Sequence, residues 1–259
     1  MFGIISGSGL YAIPGLEIAG SIEIITPYGS PSDSYKKGFI SGKEVFFLPR
    51  HGAAHRIQPH KINYRANIWG FKELGVEKII SIGASGGITP EMKPGTIVVP
   101  DQVIDMTSGR LSTFYDGDEV VHVDFTEPFC PDIRRSLFAA ARQTDIGVLK
   151  SGVYICVNGP RLETSAEIKT FSLWGADMVG MTAMPEAALA REAGICFAGI
   201  SVVTNYAAGI VDKKLTVAEV VKTMEASTDK LRSLLKSLFA LGLPSPSCAC
   251  KQTLGESKI

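Results

Sequence analysis

Several short stretches of this 259-residue chain place small, polar or basic residues directly after an apolar run. In residues 6–9 (SGSG), two glycines let the backbone approach an anion closely, and Ser8 adds a hydroxyl donor. The stretch lacks the Gly-Lys-Ser/Thr ending of a P-loop and the full spacing of a dinucleotide-binding loop. An anion site and a plain tight turn therefore both remain open here.

A basic segment at residues 48–67 (LPRHGAAHRIQPHKINYRAN) holds three of the chain's four histidines. Arg50 and His51 come at the end of the apolar run EVFFLP, and a guanidinium fork suits phosphate or carboxylate oxygens. We therefore expect an anion site at this pair. Arg56 and Lys61 are better explained as part of a solvated loop.

Three more stretches also bring small or polar residues to the end of an apolar run. Residues 81–88 (SIGASGGI) contain Gly83 and Ala84, which suit either backbone amides facing a ligand or a close-packed turn. Glu163 in VNGPRLETSAE lies near a helix start, where the helix dipole favours a glutamate whatever its function. In GMTAMPEAALA, Met181 and Thr182 end a strand, and Met181 alone would be assigned to the core.

The stretch VVTNYAAG, residues 202–209, brings an uncharged polar residue to the end of an apolar strand. Thr204 and Asn205 are followed by Tyr206 and Ala207, with no charge beside them. Asparagine is common in turns, so a strand-end turn is the simplest explanation for Asn205.

Short apolar runs alternate with helix-length segments over most of the chain, which predicts an α/β fold with a parallel or mixed central sheet. The predicted strands are FGIIS, EVFFLP, KIISIGA, TIVVP, GVYICV, DMVGM and CFAGISVV, and the predicted helices are NYRANIWGFKELG, PDIRRSLFAAARQT, ETSAEIKTFSLWG and MPEAALAREAG. Ligands of such folds collect where loops leave the carboxyl ends of strands, as the stretches above do.

The C-terminal part predicts one long helix over about residues 216–241, opened by Thr216 with Glu219 three residues later. Residues 1–243 contain no repeat and no linker and are predicted to form a single domain. Residues 244–259 are rich in proline and serine, carry a CAC motif, and are expected to form a loosely held tail.

Charge and hydropathy exclude several function classes. Lys+Arg and Asp+Glu balance at 26 each and the pI is about 6.9, which argues against binding to nucleic acid or to a membrane surface. No apolar run reaches the roughly 18 residues of a membrane span. The N-terminus MFGIISGSGL leads directly into a strand without a basic region, so we expect a cytoplasmic protein.

The five cysteines are scattered and odd in number, which is not the pattern of a disulfide framework. Cys156 and Cys196 lie in apolar runs and are expected to fill the core. The spacings offer no clear set of zinc ligands, so no metal site is predicted. Cys248 and Cys250 either form a stabilising disulfide or are two free thiols.

Taken in order, the stretches GIISGSGL, RHG, NYRAN, GP-R-ET-AE, GMT-MPE and TN resemble the trimeric purine nucleoside phosphorylases and the related 5'-methylthioadenosine phosphorylases. The match runs from about residue 3 to residue 223. The resemblance implies a three-layer α/β phosphorylase fold with a mixed central sheet flanked by helices. It also implies a homotrimer, or a dimer of trimers, with sites at subunit boundaries.

The resemblance further implies a reaction in which orthophosphate displaces a purine from C1' of a nucleoside and gives a sugar 1-phosphate. The transition state is like an oxocarbenium ion, with negative charge growing on the purine. Positioning and electrostatics carry most of such a rate. We therefore expect no covalent nucleophile, metal or cofactor, and inorganic phosphate is the co-substrate.

The resemblance also gives roles to single residues. Met181 takes the place of the methionine beneath the ribose. Leu162 takes a position often filled by a phenylalanine stacked on the base, and an aliphatic side chain there is a departure. The residues that align with the phosphate site are Ser8, Arg50, His51 and Thr182, with Gly83 and Ala84 supplying backbone and wall contacts.

Hydrogen-bonding groups then indicate the base. A 6-oxopurine presents an acceptor at O6 and a donor at N1, and adenine reverses both. The methylthioadenosine enzymes have aspartates where this chain has Asn205 and Ala207, and Glu163 aligns with the glutamate that accepts N1–H in 6-oxopurine enzymes. Asn205 can donate to O6 and accept from N7–H, unless Thr204 makes that contact. Glu163 and Asn205 therefore predict a 6-oxopurine substrate and form the expected catalytic pair.

The side facing the 5' group of the nucleoside is apolar. Leu215, Val217 and Val221 lie near the position at which inosine-preferring trimers have a histidine, although helical core packing also explains them. His122 aligns with a histidine that the neighbouring subunit contributes in the methylthio enzymes. An apolar wall suits a methylthio group better than a hydroxyl.

The combined hypothesis is a 5'-methylthioinosine phosphorylase, which releases hypoxanthine and 5-methylthioribose 1-phosphate. The alternatives are a general phosphorylase for inosine and guanosine, a methylthioadenosine phosphorylase, and a non-catalytic nucleoside-binding protein. The missing aspartates disfavour a methylthioadenosine phosphorylase, and the intact phosphate ligands disfavour a non-catalytic nucleoside-binding protein.

Overall fold

A single mixed sheet of eleven strands forms the centre of the computed structural model, which describes residues 1–7, 15–212, 214–242 and 247–256. The strands run in the order β2-β3-β4-β1-β5-β10-β9-β7, and β11, which pairs with β5, continues to β6 and β8. Their bounds are β1 (Phe2–Ser6), β2 (Glu17–Ile22), β3 (Tyr35–Ile40), β4 (Lys43–Pro49), β5 (Lys78–Gly87), β6 (Ile97–Val98), β7 (Gln102–Met106), β8 (Val148–Leu149), β9 (Val153–Val157), β10 (Met178–Gly180) and β11 (Cys196–Tyr206).

All seven strands predicted from apolar runs are present, and β2, β3, β7 and β8 are additional. The additional strands lack an apolar run for physical reasons. Nearly all of β2 is exposed, no residue of β7 is fully buried, and β8 has only two residues. They hold their place by pairing with neighbouring strands, a long-range interaction that a local pattern does not reveal.

The predicted single helix over residues 216–241 is wrong, because two helices meet at Ser227. Ser227 Oγ donates to Thr223 O at 2.8 Å and Thr228 Oγ1 donates to Met224 O at 3.3 Å, a type of back-bonding that bends helices. The four other predicted helices are present. The bounds are α1 (Tyr64–Glu73), α2 (Pro131–Thr144), α3 (Ser165–Leu173), α4 (Ala183–Glu192), α5 (Val217–Ala226) and α6 (Thr228–Leu241).

Alternate residues of the central strands face two different helical layers. Ile4 and Ile80 belong to an apolar cluster with α2 and α6, whereas Ile5 and Ile79 belong to a cluster with α1 and α4. This follows from the two-residue period of a strand. The predicted three-layer α/β fold is confirmed.

Residues 247–256 differ from the loosely held tail that the composition suggests. Asp132 at the start of α2 accepts hydrogen bonds from the backbone N–H groups of Ser247 at 2.6 Å and Cys248 at 2.9 Å. Cys250 is 2% exposed and belongs to the larger apolar cluster. Within the described parts of the chain, no helix is both long enough and apolar enough to cross a membrane.

Candidate active site

The carboxyl ends of three parallel strands bring the first candidate residues together. Ser6 at the end of β1 pairs with Pro49 at the end of β4 and with Ile82 in β5. Just beyond the strands, the backbone N–H of Arg50 donates to Ser6 O at 2.8 Å and that of Gly7 donates to Ile82 O at 3.0 Å. These two hydrogen bonds hold the segments that follow β1 and β4 at this edge of the sheet, and they place Arg50 beside the end of β1.

Arg50 is held by a buried network although it is a charged residue. Its Nε donates to Glu186 Oε1 at 2.5 Å, and its Nη2 donates to Glu186 Oε2 at 3.1 Å and to Ser81 Oγ at 2.6 Å. Its Nη1 donates to Ile82 O at 3.2 Å. Since a guanidinium has five N–H groups, these contacts leave one N–H of Nη1 for a ligand.

Glu186 is the functional residue that the sequence reasoning missed. It is 0% exposed in α4, and it also accepts a hydrogen bond from Ser81 Oγ at 2.9 Å. Burial opposes the charge of Arg50, but the Glu186 carboxylate outweighs it and raises the pKa of Arg50. The signal in the sequence is a glutamate inside the small apolar run MPEAALA, where an unpaired charge is costly.

His51 presents one ring nitrogen to the same space. Its Nδ1 lies 2.7 Å from Ile57 O, so Nδ1 carries the proton and Nε2 keeps a lone pair. Burial, together with the nearby charge of Arg50, lowers the pKa of His51 to about 4. The ring is therefore neutral near pH 7.

Two glycines show how closely these groups converge. A methyl group on Gly83 would lie 4.0 Å from both Arg50 Nη1 and Thr182 Oγ1. A methyl group on Gly7 would lie 2.7 Å from Arg50 Nη1 and 3.7 Å from His51 Nε2. Thr182 precedes α4 but makes no capping hydrogen bond with its side chain. The structure thus brings Arg50, His51, Gly83 and Thr182 around one space, which Ala84 adjoins; Ser8 lies outside the described residues.

Asn205 near the end of β11 is oriented by its neighbours. Its Oδ1 accepts from Thr204 Oγ1 at 2.9 Å and its Nδ2 donates to Tyr206 O at 2.8 Å. One N–H and one lone pair of the amide remain for a ligand. Thr204 is buried, and its hydroxyl proton is shared between Asn205 Oδ1 and Ser85 O, which lies 3.2 Å from Thr204 Oγ1.

Glu163 precedes α3, and it is Glu167 that interacts with the helix N-terminus. Thr164 and Glu167 form a reciprocal capping box, and Glu167 also binds Arg161 at 2.6 Å and 2.8 Å. The carboxylate of Glu163 is half-buried, and burial raises its pKa above the usual range of a glutamate. Among the described residues its hydrogen bond is to its own backbone N–H, which leaves acceptor positions for a ligand.

The loop after β11 packs against the segment that carries Glu163. A methyl group on Gly209 would lie 2.6 Å from Ser165 Cβ, and Ala207 is buried against Ile168 and Phe171 of α3. Asn205 pairs in register with Gly86, three residues beyond Gly83 in β5. Three residues of a strand span about 10 Å, which leaves room for a sugar between the cationic end and Asn205.

The remaining candidates lie on the outside of this chain. Met181 is half-buried, and a methyl group on Gly159 would lie 2.4 Å from its sulfur. Leu162 and Val221 are exposed, Val217 is 76% exposed, and His122 is exposed in a separate loop. Most of these side chains are therefore open to solvent in the single chain.

The cysteines are the clearest departure from the sequence-based expectation. The described cysteines are free thiols, so Cys248 and Cys250 are not joined by a disulfide. Cys196 fills the core as expected, but its Sγ also lies within 4.8 Å of three other cysteine sulfurs. The spacing had suggested no ligand set because these residues are far apart in the chain.

Comparisons with known proteins identify relatives that align along nearly the whole chain. A probable S-methyl-5'-thioinosine phosphorylase from Thermodesulfovibrio yellowstonii is 52% identical, with 97% of this chain and 95% of that protein aligned. A 6-oxopurine nucleoside phosphorylase from Pyrococcus furiosus is 48% identical (97% and 96%), and an S-methyl-5'-thioadenosine phosphorylase from Thermofilum pendens is 46% identical (99% and 98%).

Solved structures of nucleoside phosphorylases are similar to this chain as well. Methylthioadenosine phosphorylase from Schistosoma mansoni in complex with adenine superposes with a TM-score of 0.94 at 32% identity, covering 99% of this chain and 98% of that one. The family model of the phosphorylase superfamily matches residues 2–240. On its sequence, its sheet and its strand-end residues, the chain belongs to the phosphorylase superfamily.

Proposed function

We propose that this chain is a purine nucleoside phosphorylase for 6-oxopurine nucleosides, with 5'-methylthioinosine and phosphate as its preferred substrates. The reaction makes it a pentosyltransferase, as are the nucleoside phosphorylases it resembles. The observation that carries the proposal is the Asn205 amide, fixed by Thr204 and Tyr206 and still able to donate once and accept once. This amide lies beyond the strand-end site of Arg50, His51 and Thr182, whose groups suit phosphate.

Asn205 and Glu163 match a 6-oxopurine and mismatch adenine. Asn205 Nδ2 can donate to O6 and its Oδ1 can accept from N7–H, while the Glu163 carboxylate can accept from N1–H. Adenine would put its amino group against the Asn205 N–H and an acceptor against the carboxylate. Each buried mismatched group costs about 1–3 kcal/mol, so two of them discriminate by orders of magnitude.

The strand-end site suits hydrogenphosphate. The free N–H of Arg50 and the Thr182 hydroxyl can donate to P–O oxygens, and the neutral His51 can accept at Nε2 from the one P–OH group. The Arg50–Glu186 pair fixes the donor before the ligand arrives, so little reorganisation is needed during reaction.

The reaction follows from these positions. A phosphate oxygen forms a bond to C1' as the C1'–N9 bond breaks, and the electron pair leaves with the purine. Negative charge then grows on the purine, where Asn205 donates to O6. N7 takes up a proton from solvent water as the phosphate group loses its P–OH proton to solvent, and Asn205 Oδ1 accepts a hydrogen bond from the resulting N7–H. These hydrogen bonds strengthen as the charge develops, which is the condition for lowering the barrier. Such a reaction requires no cofactor.

The exposed 5' side supports an oligomeric enzyme. Val217, Val221 and Leu162 are apolar and exposed in the single chain, and His122 is exposed as well. A homotrimer, or a dimer of trimers, in which His122 of one subunit covers the valines of the next would complete an apolar 5' pocket. That pocket favours methylthio over hydroxyl at C5', which separates this proposal from a general inosine and guanosine phosphorylase.

Turnover of four nucleosides tests the proposal. Methylthioinosine, inosine, guanosine and methylthioadenosine are each incubated with and without phosphate, and base release is followed by chromatography. We expect phosphate-dependent release, fastest from methylthioinosine. Faster turnover of methylthioadenosine would overturn the base assignment, equal turnover of inosine would overturn only the 5' assignment, and release without phosphate would indicate a hydrolase.

A further inference from the structure

Four cysteine side chains converge at the amino-terminal end of β11, away from the site described above. Cys130 directly precedes α2, Cys196 begins β11, and Cys248 and Cys250 come from the C-terminal segment. The four Sγ atoms all lie within 4.8 Å of one another. Cys248 Sγ is 3.6 Å from Cys130 Sγ and 3.4 Å from Cys196 Sγ.

The backbone around the cluster is fixed by contacts that do not involve sulfur. The Cys130 N–H donates to Phe197 O at 2.7 Å, and the Cys196 N–H donates to Glu77 O at 3.0 Å. The buried carboxylate of Asp132 accepts from the N–H groups of Ser247 and Cys248. The four sulfurs are therefore held in place by an outer shell of hydrogen bonds, as metal ligands usually are.

We propose that Cys130, Cys196, Cys248 and Cys250 form a structural zinc site. A tetrahedral ion with Zn–S bonds of about 2.3 Å holds its sulfurs about 3.8 Å apart, close to the separations observed. A disulfide instead requires a pair of sulfurs about 2.05 Å apart. The site takes Zn²⁺ with four thiolates and releases four protons, with no change in oxidation state.

Positive groups surround the cluster and would balance the charge of a tetrathiolate site. Lys251 lies close enough to Cys196 and Cys248, and Arg191 to Cys250, for their charges to act on the thiols. Cys130 lies at the N-terminus of α2, where the helix dipole favours a thiolate. These groups would offset part of the negative charge of four zinc-bound thiolates.

The distance from Asn205 indicates a structural and not a catalytic role. Asn205 lies nine positions after Cys196 in β11, which corresponds to roughly 30 Å at about 3.3 Å per residue. The zinc would add a link between α2, β11 and the C-terminal segment to the hydrogen bonds and apolar contacts already there. Its loss should lower thermal stability and leave substrate selectivity unchanged.

Metal content and thiol state of the full-length protein test this proposal. The protein is purified without chelator or added metal, its zinc is measured by mass spectrometry of the elements, and its thiols are counted after unfolding with chelator and without reductant. We expect about one zinc per chain and all five cysteines as thiols. Cobalt(II) exchanged into the site should show the absorption bands of tetrahedral thiolate ligation.

A pair of variants provides the control. Cys248→Ser with Cys250→Ser should lose the zinc and lower the melting temperature, whereas Cys156→Ser removes a buried cysteine outside the cluster and should retain the zinc. Metal-free protein with two disulfides, seen as a mass lower by about four hydrogens, would overturn the proposal. Metal-free protein with five thiols and no cobalt bands would overturn it as well.

Discussion

The two ends of the candidate nucleoside site are built in opposite ways. At the phosphate end, Arg50 is 1% exposed and is held by Glu186, Ser81 and Ile82 of the same chain. At the 5' end, Val217 is 76% exposed and Val221 lies one turn later on α5 with no described partner in the predicted wall. One end is complete in the single chain and the other is open.

This difference suits two separate purposes: the phosphate end would carry the chemistry, and the 5' end would set the preference among nucleosides. A preorganised anion site is needed for every phosphorolysis, and it lies in the buried centre of the sheet where a donor keeps its position. The residues proposed to recognise the 5' group are exposed and can change at little cost to the fold. Changes at the phosphate end should therefore reduce all activity, and changes at the open end should alter only the preference among nucleosides.

The largest effect is expected for Glu186→Ala. It leaves the buried charge of Arg50 unpaired, which typically costs about 3–5 kcal/mol of stability. It also frees the guanidinium from its fixed position, so kcat/KM should fall roughly 100-fold or more for every nucleoside. Chemical unfolding and steady-state kinetics measure both quantities.

The matched control is Glu192→Ala on the same helix. Glu192 is also buried and accepts one hydrogen bond from the backbone N–H of Phe114 at 2.7 Å. It should lose stability but retain the KM for phosphate. An equal loss of kcat/KM in both variants would show that Glu186 acts only through the fold.

The next largest effect is expected at the base end, for Asn205→Asp. The carboxylate would repel O6 and accept from the amino group of adenine, so the preference should shift toward methylthioadenosine by about 1–3 kcal/mol, or roughly 5- to 150-fold. The ratio of kcat/KM for the two nucleosides measures the shift. Asn63→Asp is the control, since Asn63 caps α1 and the aspartate can also cap; an equal shift in it would contradict a specific role for Asn205.

The pH dependence of kcat/KM tests Glu163, the other residue proposed to read the base. Burial raises the pKa of Glu163 above the usual value of a glutamate, which is about 4.3. The carboxylate that accepts N1–H therefore forms at a higher pH than it would in an exposed glutamate. The kcat/KM for methylthioinosine should therefore rise with pH through this higher pKa and then level off. Glu163→Gln should remove this acid limb and lower the plateau about tenfold; a limb unchanged in Glu163→Gln would assign it to another group.

The smallest effect is expected at the open end, for Val217→Ser and Val221→Ser. Each removes about 1 kcal/mol of apolar contact with a methylthio group, so the preference for methylthioinosine over inosine should fall about fivefold per substitution. Turnover of inosine should hardly change. Ile18→Ser on the exposed strand β2 is the control, and an effect of the same size there would remove the valines from the 5' wall.

Sequence reasoning succeeds where a side chain and its position are set by neighbouring residues. Arg50, His51 and Asn205 stand at the ends of apolar strands, so the strand pattern alone places them at the ligand edge. It fails where the partner is distant in the chain. Glu186 meets Arg50 across 136 positions, and Cys130 meets Cys248 across 118. The sequence reasoning missed the edge strand β2 and the break at Ser227 for a different reason, since strand pairing and local side-chain back-bonding are not visible in hydrophobic periodicity.

Competition between two nucleosides tests the central claim most directly. Equal concentrations of methylthioinosine and methylthioadenosine are mixed with the enzyme and phosphate in one tube, and the released hypoxanthine and adenine are measured at low conversion. Their ratio is the ratio of kcat/KM values, independent of enzyme concentration. We predict an excess of hypoxanthine of at least about 30-fold, from two mismatched groups on adenine that each cost about 1 kcal/mol or more. Equal release, or an excess of adenine, would contradict base reading by Asn205 and Glu163.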